Sequence, residues 1–340
     1  MAGLPGLVAH GFRPHKVYRM TLKTRLAVVM DPIGDIKFAK DSTLAMLLAA
    51  QARGIELHYL EQCDLFVRDG RARGHARALN VRSDPDDWFT LGEARTQDLG
   101  DFDVILMRKD PPFDMEFVYT TYILELAEAQ GALVVNRPQG LRDMNEKVFT
   151  AWFPQCCAPT LITRDMADMG AFLREHERIV CKPLHGMGGR SIFIIERGDK
   201  NTNVIFESLT RYGAEFAMVQ RYIPDIVTTG DSRVLLIDGE PVTHALARIP
   251  SDSDNRGNLA AGAQGVCRPL NDRDRWLAAQ IGPTLAARGM LFVGLDVIGG
   301  FVTEINVTSP TGIRELDHQF QLDIGGQFIA AVQRRLQSGK

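Results

Sequence analysis

The chain has 340 residues, with 39 Lys and Arg against 42 Asp and Glu for a net charge of −3, and it carries no basic block of the kind a nucleic-acid footprint leaves. That balance argues against a polyanion partner, and the longest apolar runs, such as "LAMLLAA" at Leu44 to Ala50, fall far short of the ~18 residues a membrane span needs. At this length two or three sub-domains sharing a cleft are expected, and five cysteines without CxxC spacing (Cys63, Cys156, Cys157, Cys181, Cys267) read as reduced thiols of a cytoplasmic protein.

Residues 1–19, "MAGLPGLVAHGFRPHKVYR", contain basic residues and no acid. They are read as a disordered extension rather than a targeting segment, because Met20 opens a cleaner start. "RLAVVM", the helix-like "DSTLAMLLAAQARG" and "IELHYLE" then form a βαβ unit. A hairpin follows at Asp69-Gly70, and "FDVILMRK", "FVYTTYILELAEAQG" and "ALVVN" repeat the alternation, so residues 20–142 read as an open parallel α/β domain. From 143 to 222 the pattern changes to mixed strands and ends in the buried-looking strand "FAMVQRYI". Residues 223–340 carry a hairpin at "LLIDGEPV", a helix "DRDRWLAAQIGPTLAARG", a second hairpin "LFVGLDVIGGFVTEINV" and a closing helix "GGQFIAAVQRRLQ". The fold class is α/β, or α+β taken overall.

Three stretches carry chemistry. "KPLHGMGGR", Lys182 to Arg190, is a glycine-rich reversal between two strands, where backbone N–H groups can converge on phosphate oxygens and Lys182 adds charge. It lacks Walker A spacing and does not precede a helix, so it reads as a flap over a nucleotide. Lys147 in "LRDMNEKVFT" is expected on a helix, and the strand "MVQRYIP" is expected to offer backbone groups to an adenine edge.

In "GLDVIGGFVTEINVTSPTG", an odd loop centred on Gly300 would put Asp296 opposite Glu304 and Gly294 opposite Asn306, all on one face. A two-residue turn would send the two carboxylates to opposite faces. Carboxylate and amide oxygens of this kind suit a hard cation such as Mg2+, and no Cys or His cluster suggests zinc.

Together these features resemble the ATP-grasp carboxylate–amine ligases. The runs "KDST", "DVILMRKDPPFD", "LRDMNEKVFTAWF", "KPLHGMGGRSIF", "GEPVTHALARIP", "RGNLAAG", "FVGLDVIG" and "TEINVTSPTGIRE" resemble the bacterial glutathione synthetase family from Leu26 to about Glu315. The resemblance implies an ATP-grasp fold with an amino-terminal pre-ATP-grasp domain, a central lid and a carboxy-terminal domain. It implies the ligation of γ-glutamylcysteine and glycine with ATP as co-substrate, through an acyl phosphate, by a cytoplasmic homotetramer using Mg2+ or Mn2+.

It further implies ATP-binding roles for Lys147, Lys182, Gly186, Gly188, Gly189, Gln220, Arg221, Tyr222, Ile223 and, toward the ribose, Asp231. Asp296, Glu304 and Asn306 match the metal ligands, and Arg233, Arg248 and Gly262 match catalytic positions. Arg108 is expected at the γ-glutamylcysteine end, and Ser309, Thr311 and Arg314 at glycine. The segment "PSDSDNRGNLAAGAQG" is expected to close over the acyl phosphate. His185 departs from the family pattern, which often places Asp there. The alternatives are another ATP-grasp ligase with a different peptide or amino-acid substrate, and a nucleotide-binding regulatory module. An NAD-linked enzyme is disfavoured by the single glycine of "VVMDPIGDIK".

Overall fold

A computed structural model of the chain describes residues 23–186, 190–250 and 264–339. The expected amino-terminal extension, Gly188 and Gly189, Gly262 and most of the expected closing loop lie outside the described residues.

The chain enters β1 (Arg25–Val29), crosses in α1 (Ser42–Ala52) and returns parallel in β2 (Glu56–Leu60). Leu26 to Val29 are fully buried, as a central strand covered on both faces demands. Asp41 starts α1 by accepting from the Leu44 N–H at 2.6 Å, satisfying one of the helix's orphan donors. β3 (Leu65–Arg68), β4 (Arg71–Val81) and β5 (Phe89–Asp98) add an antiparallel extension, with the expected hairpin at Asp69-Gly70 in positive-φ geometry. Parallel order resumes with β6 (Val104–Met107), α2 (Met115–Ala129) and β7 (Leu133–Val135), and α3 (Pro138–Asp143) leads out. The main path of this first sheet runs β3-β4-β2-β1-β6-β7.

β8 (Thr160–Thr163), α4 (Met166–His176), β9 (Arg178–Pro183), β10 (Phe193–Glu196), α5 (Thr202–Thr210) and β11 (Ala217–Arg221) build a second, antiparallel sheet ordered β10-β9-β11-β8. Its helices pack Met169, Leu173 and Phe206 onto Ile179, Cys181 and Val219, a core separate from the rest of the molecule.

The third sheet comprises β12 (Asp231–Ile237), β13 (Glu240–Ile249), β14 (Gln264–Pro269), β15 (Phe292–Ile298) and β16 (Phe301–Asn306), ordered β14-β13-β12-β15-β16. α6 (Asp272–Ala287) lies between β14 and β15 in the chain, and α7 (Ile313–Phe320) and α8 (Ile324–Ser338) close it.

First and third sheets share continuous cores: Ala27, Ile105 and Phe149 cluster with Val293, Leu295 and Ile305, and Leu47 with Phe328 and Val332. One polar residue stitches them. Asn136, 4% exposed, donates from Nδ2 to the carbonyls of Phe292 (2.7 Å) and Val307 (2.6 Å) and accepts from the Phe292 N–H at 3.0 Å. Asn136→Ala leaves three buried backbone groups short of partners, so a loss of about 2–4 kcal/mol is expected. A lower urea midpoint at unchanged slope is the measurement that checks it.

Candidate active site

A cleft of about 1030 Å³ opens where the three sheets meet, and Lys147, Lys182, Tyr222, Asp231, Asp296 and Glu304 line it. Its floor is the β15–β16 hairpin. Asp296 does stand opposite Glu304, and Gly294 opposite Asn306. The route to that register differs from the expected odd loop. Gly299 and Gly300 form a two-residue turn with φ of 55° and 78°, pairing Ile298 with Phe301. A bulge then gives β16 one extra residue, Thr303, between the Val297–Val302 and Asp296–Glu304 pairs. The turn alone would have split the carboxylates between faces, and the bulge brings them back together.

Arg233, on the neighbouring strand β12, pairs with Asp296 across the ladder. Its Nε donates to Asp296 Oδ1 at 2.6 Å, Nη2 to Oδ2 at 3.3 Å, and Nη1 to the Thr311 carbonyl at 3.2 Å. The guanidinium passes over Gly294, where a Cβ would meet Arg233 Cδ at 2.8 Å, so only glycine leaves it room. Arg248 reaches Asp296 Oδ1 at 3.0 Å and also grips Asp231. Burial alone would raise the Asp296 carboxyl, but the two guanidiniums outweigh it and hold the group below the usual carboxylate range. At Asp231 burial wins, with help from the charge of Asp296 and against Arg248, and its carboxyl is pushed up. Asp231 therefore belongs to this guanidinium–carboxylate cluster, with ribose as its expected ligand.

Lys147 and Lys182 both converge on Glu304. Their ammonium groups stand 3.8 and 3.9 Å from Glu304 Oε1, both on side chains that are almost wholly buried. Burial lowers Lys182 below its ordinary value; for Lys147 burial acts the same way, but Glu304 and Glu146 overcome it and the group lies higher. Lys147 is not within a helix, as expected from sequence, but just ahead of the 3-10 turn Val148–Trp152. Asn145 holds that turn, accepting from the Lys147 and Val148 N–H groups at 3.0 Å each and donating to the Leu184 carbonyl at 3.1 Å. Lys147 Nζ donates to the carbonyl of Gly186 at 3.1 Å, tying it to the flap. Between β9 and β10 the flap is a strand-to-strand reversal, as expected, with His185 and Gly186 on the cleft wall.

Gln220, Arg221, Tyr222 and Ile223 also line the cleft. The N–H groups of Arg221 and Tyr222 already donate to the carbonyls of Pro159 and Arg178, both at 3.0 Å, so these two are committed to the sheet rather than to a base. Tyr222 is held under the Arg178 guanidinium, 3.9 Å from its ring centre.

Of the four expected substrate contacts, Ser309 and Thr311 line the cleft; Arg108 and Arg314 do not. Arg108 is buried one layer behind, donating to Thr43 Oγ1 and to the Pro310 carbonyl, each at 3.0 Å. Arg314 lies over the ring of Phe38. Arg108 thus props the Ser309–Thr311 loop from beneath, aided by Ser42 Oγ, which accepts from the N–H groups of Gly312 and Ile313, and by Asp110, which accepts from Ser309. Sequence reasoning passed over Asn145, Ser42 and Asp110, and nothing in their local pattern signals partners 39 to 270 residues away.

The oxygen set fits a hard cation. Glu304 and Asn306 present oxygens beside Asp296, and Asn306 fixes its amide by donating to the Gly294 carbonyl at 3.3 Å. Among the described residues no three His, Cys, Asp or Glu side chains come together to hold a metal, so the site supplies only two carboxylates and an amide oxygen and leaves the remaining positions to water or phosphate. Nor is any helix among the described residues long and apolar enough to cross a membrane.

Comparison with known proteins agrees with this geometry. Residues 24–142 match the model of "Prokaryotic glutathione synthetase, N-terminal domain" and residues 146–321 that of "Prokaryotic glutathione synthetase, ATP-grasp domain". The glutathione synthetase of Pseudomonas putida is 57% identical over 317 residues, covering 93% of this chain and 100% of the relative. That of Escherichia coli K12 is 54% identical over 313 residues, covering 92% and 99%. Among solved structures, D-cycloserine synthetase DcsG superposes with a TM-score of 0.65 at 16% identity, covering 92% of this chain and 99% of its own. The ATP-grasp ligase PsnB with its precursor peptide PsnA2 gives 0.58 at 15%, covering 92% and 98%. These two structures show the ATP-grasp fold, and the domain models with the full-length relatives show that the chain belongs to the prokaryotic glutathione synthetase family.

Proposed function

We propose that the chain joins γ-glutamylcysteine to glycine at the expense of ATP, giving glutathione, ADP and phosphate. The observation that carries this is the convergence in one cleft of two buried lysines, two carboxylates in register and two guanidiniums. Lys147 and Lys182 hold the nucleotide phosphates. Arg233 and Arg248 sit where negative charge builds as the γ-glutamylcysteine carboxylate attacks the γ-phosphorus and the bond to the ADP oxygen breaks. The same guanidiniums face the oxyanion that forms when the glycine amine adds to the acyl phosphate and phosphate departs. Mg2+ or Mn2+, taken by the oxygens of Asp296, Glu304 and Asn306, supplies charge neutralisation to the phosphates. A buried, cation-lined site strengthens each of these interactions relative to water and shields the acyl phosphate from hydrolysis.

A homotetramer in the cytoplasm is part of this reading. The family resemblance supports the assembly and five unpaired cysteines support the compartment; sedimentation of the purified protein checks the assembly.

The test is ADP release from protein with ATP and Mg2+, omitting γ-glutamylcysteine and glycine in turn. Release that requires γ-glutamylcysteine and reaches full rate only with glycine supports the reading, whereas faster release with a different carboxylate or peptide would overturn it. Lys182→Met is expected to raise the KM for ATP at least about tenfold, since a charge-assisted contact to phosphate is worth roughly 1.5–3 kcal/mol. Steady-state ATP titration of the variant measures it, and an unaltered KM would make the lysine structural.

A further inference from the structure

Glu315 lines the cleft beside Thr311 and Arg233, in the first turn of α7. Its Oε2 atom is buried and has no hydrogen-bond partner among the described residues. Three cations are close enough to be felt: Lys40, Arg233 and Arg314. Each is directed elsewhere. Arg233 is committed to Asp296 and the Thr311 carbonyl, Arg314 lies 4.6 Å from the ring centre of Phe38, and Lys40 is exposed. Burial pushes the Glu315 carboxyl up, more than its own backbone N–H and these cations pull it down. A buried carboxylate oxygen left without a donor costs stability, so a ligand group that donates to it would be held there.

The charge pattern around it identifies the missing partner. Asp296 is paired with two guanidiniums and Glu304 faces two lysines, so both already have cationic neighbours on the nucleotide side of the cleft. Two cleft carboxylates have a buried oxygen without a donor among the described residues, Asp231 and Glu315; Asp231 is held by Arg248 through its other oxygen, whereas Glu315, four residues after Thr311, has no cation paired to it and can take a small one.

We infer that Glu315 receives the ammonium group of the incoming amino acid and holds its nitrogen toward the acyl carbon beside Arg233. This assignment rests on the ligase reading above. The amine arrives as R–NH3+ and must lose a proton to attack. One proton passes to the Glu315 carboxylate, the freed lone pair forms the C–N bond, the C–O bond to phosphate breaks, and the second nitrogen proton leaves with phosphate. Charge and atoms balance with no further reactant. Glu315 also makes the site select a free α-ammonium over a neutral isostere, because an uncharged group would leave the carboxylate unpaired.

The experiment compares wild type, Glu315→Gln and Glu315→Asp for the KM values of glycine, γ-glutamylcysteine and ATP, with melting curves for each. Glu315→Gln is expected to raise the glycine KM about 10- to 100-fold, the usual cost of a lost charge-assisted contact. The other two KM values should stay within about twofold, and the melting temperature should not fall, because the buried oxygen gives up no bond. Glu315→Asp should recover part of the glycine affinity. A glycine KM within twofold of wild type in Glu315→Gln would overturn the assignment. So would a parallel rise in all three KM values with a lowered melting temperature, the signature of a structural role. Should the glutamine variant fail to fold, a wild-type glycine KM in Glu315→Asp overturns the assignment equally. Wild-type protein that consumes ATP without using glycine would instead overturn the synthetase reading, and this assignment with it.

Discussion

Glu304→Gln is expected to leave the protein folded and to lower turnover by at least about 10²-fold, the effect of removing an oxygen ligand at a phosphoryl-transfer site. Among the described residues no guanidinium holds Glu304, in contrast to Asp296, so its carboxylate remains available to a cation and to the two lysines 3.8 and 3.9 Å away. Glutamine has the same shape and keeps the packing of Val302 and Ile305 beneath. Lys147 retains Glu146 at 2.7 Å, and Lys182 retains the Thr303 carbonyl, to which it donates at 3.4 Å. Stability should therefore change little while chemistry collapses. The measurement is kcat at saturating ATP and Mg2+ beside a melting curve. Near-normal turnover with an unchanged curve would remove Glu304 from the mechanism.

The parts of this site that were legible in the sequence share a physical basis. Period-2 alternation in "VGLDVI" and "VTEINV" fixed which residues share a face, and Val293, Leu295 and Val297 are buried as that alternation requires. The paired hydrophobic runs around Asp69-Gly70 and Asp238-Gly239 made hairpins because two successive positive-φ residues match the twist of the flanking strands. The register of Asp296 with Glu304 was also anticipated, but on the wrong turn. A bulge at Thr303 leaves no separate mark in the sequence, so two different backbone routes predict the same pairing.

What was not legible is set by distance along the chain. Arg108 in "LMRKDPP" is expected at the γ-glutamylcysteine end, yet Pro310, 202 residues on, supplies the carbonyl that fixes it inside the protein. Asn136 ends the strand-like run "ALVVN", and nothing local to it signals that it satisfies backbone groups of β15 and of Val307. Asp231 is expected toward the ribose, and its carboxyl is pushed up by burial in the packed third sheet, with Asp296 adding to the rise and Arg248 opposing it. Local pattern determines elements; which charge meets which is decided when the sheets pack.

Arg233 holds the floor of the cleft through Asp296, and under the proposed function the same side chain also stabilises charge in the reaction. Arg233→Met is expected to cut kcat by about 10²–10³-fold, the usual loss for one preorganised donor to a developing oxyanion. It should also destabilise, because a buried ion pair broken on one side costs about 3–5 kcal/mol; here the loss should fall below that range, as Arg248 still reaches Asp296 at 3.0 Å. Arg233→Lys separates the two roles. An ammonium restores a positive charge to Asp296 but cannot reproduce the fork that reaches both carboxylate oxygens and the Thr311 carbonyl at once. Melting temperature should therefore recover in the lysine variant while kcat stays at least about tenfold down. If kcat and melting temperature instead recover together, the guanidinium serves the fold alone and the oxyanion must be met by Arg248.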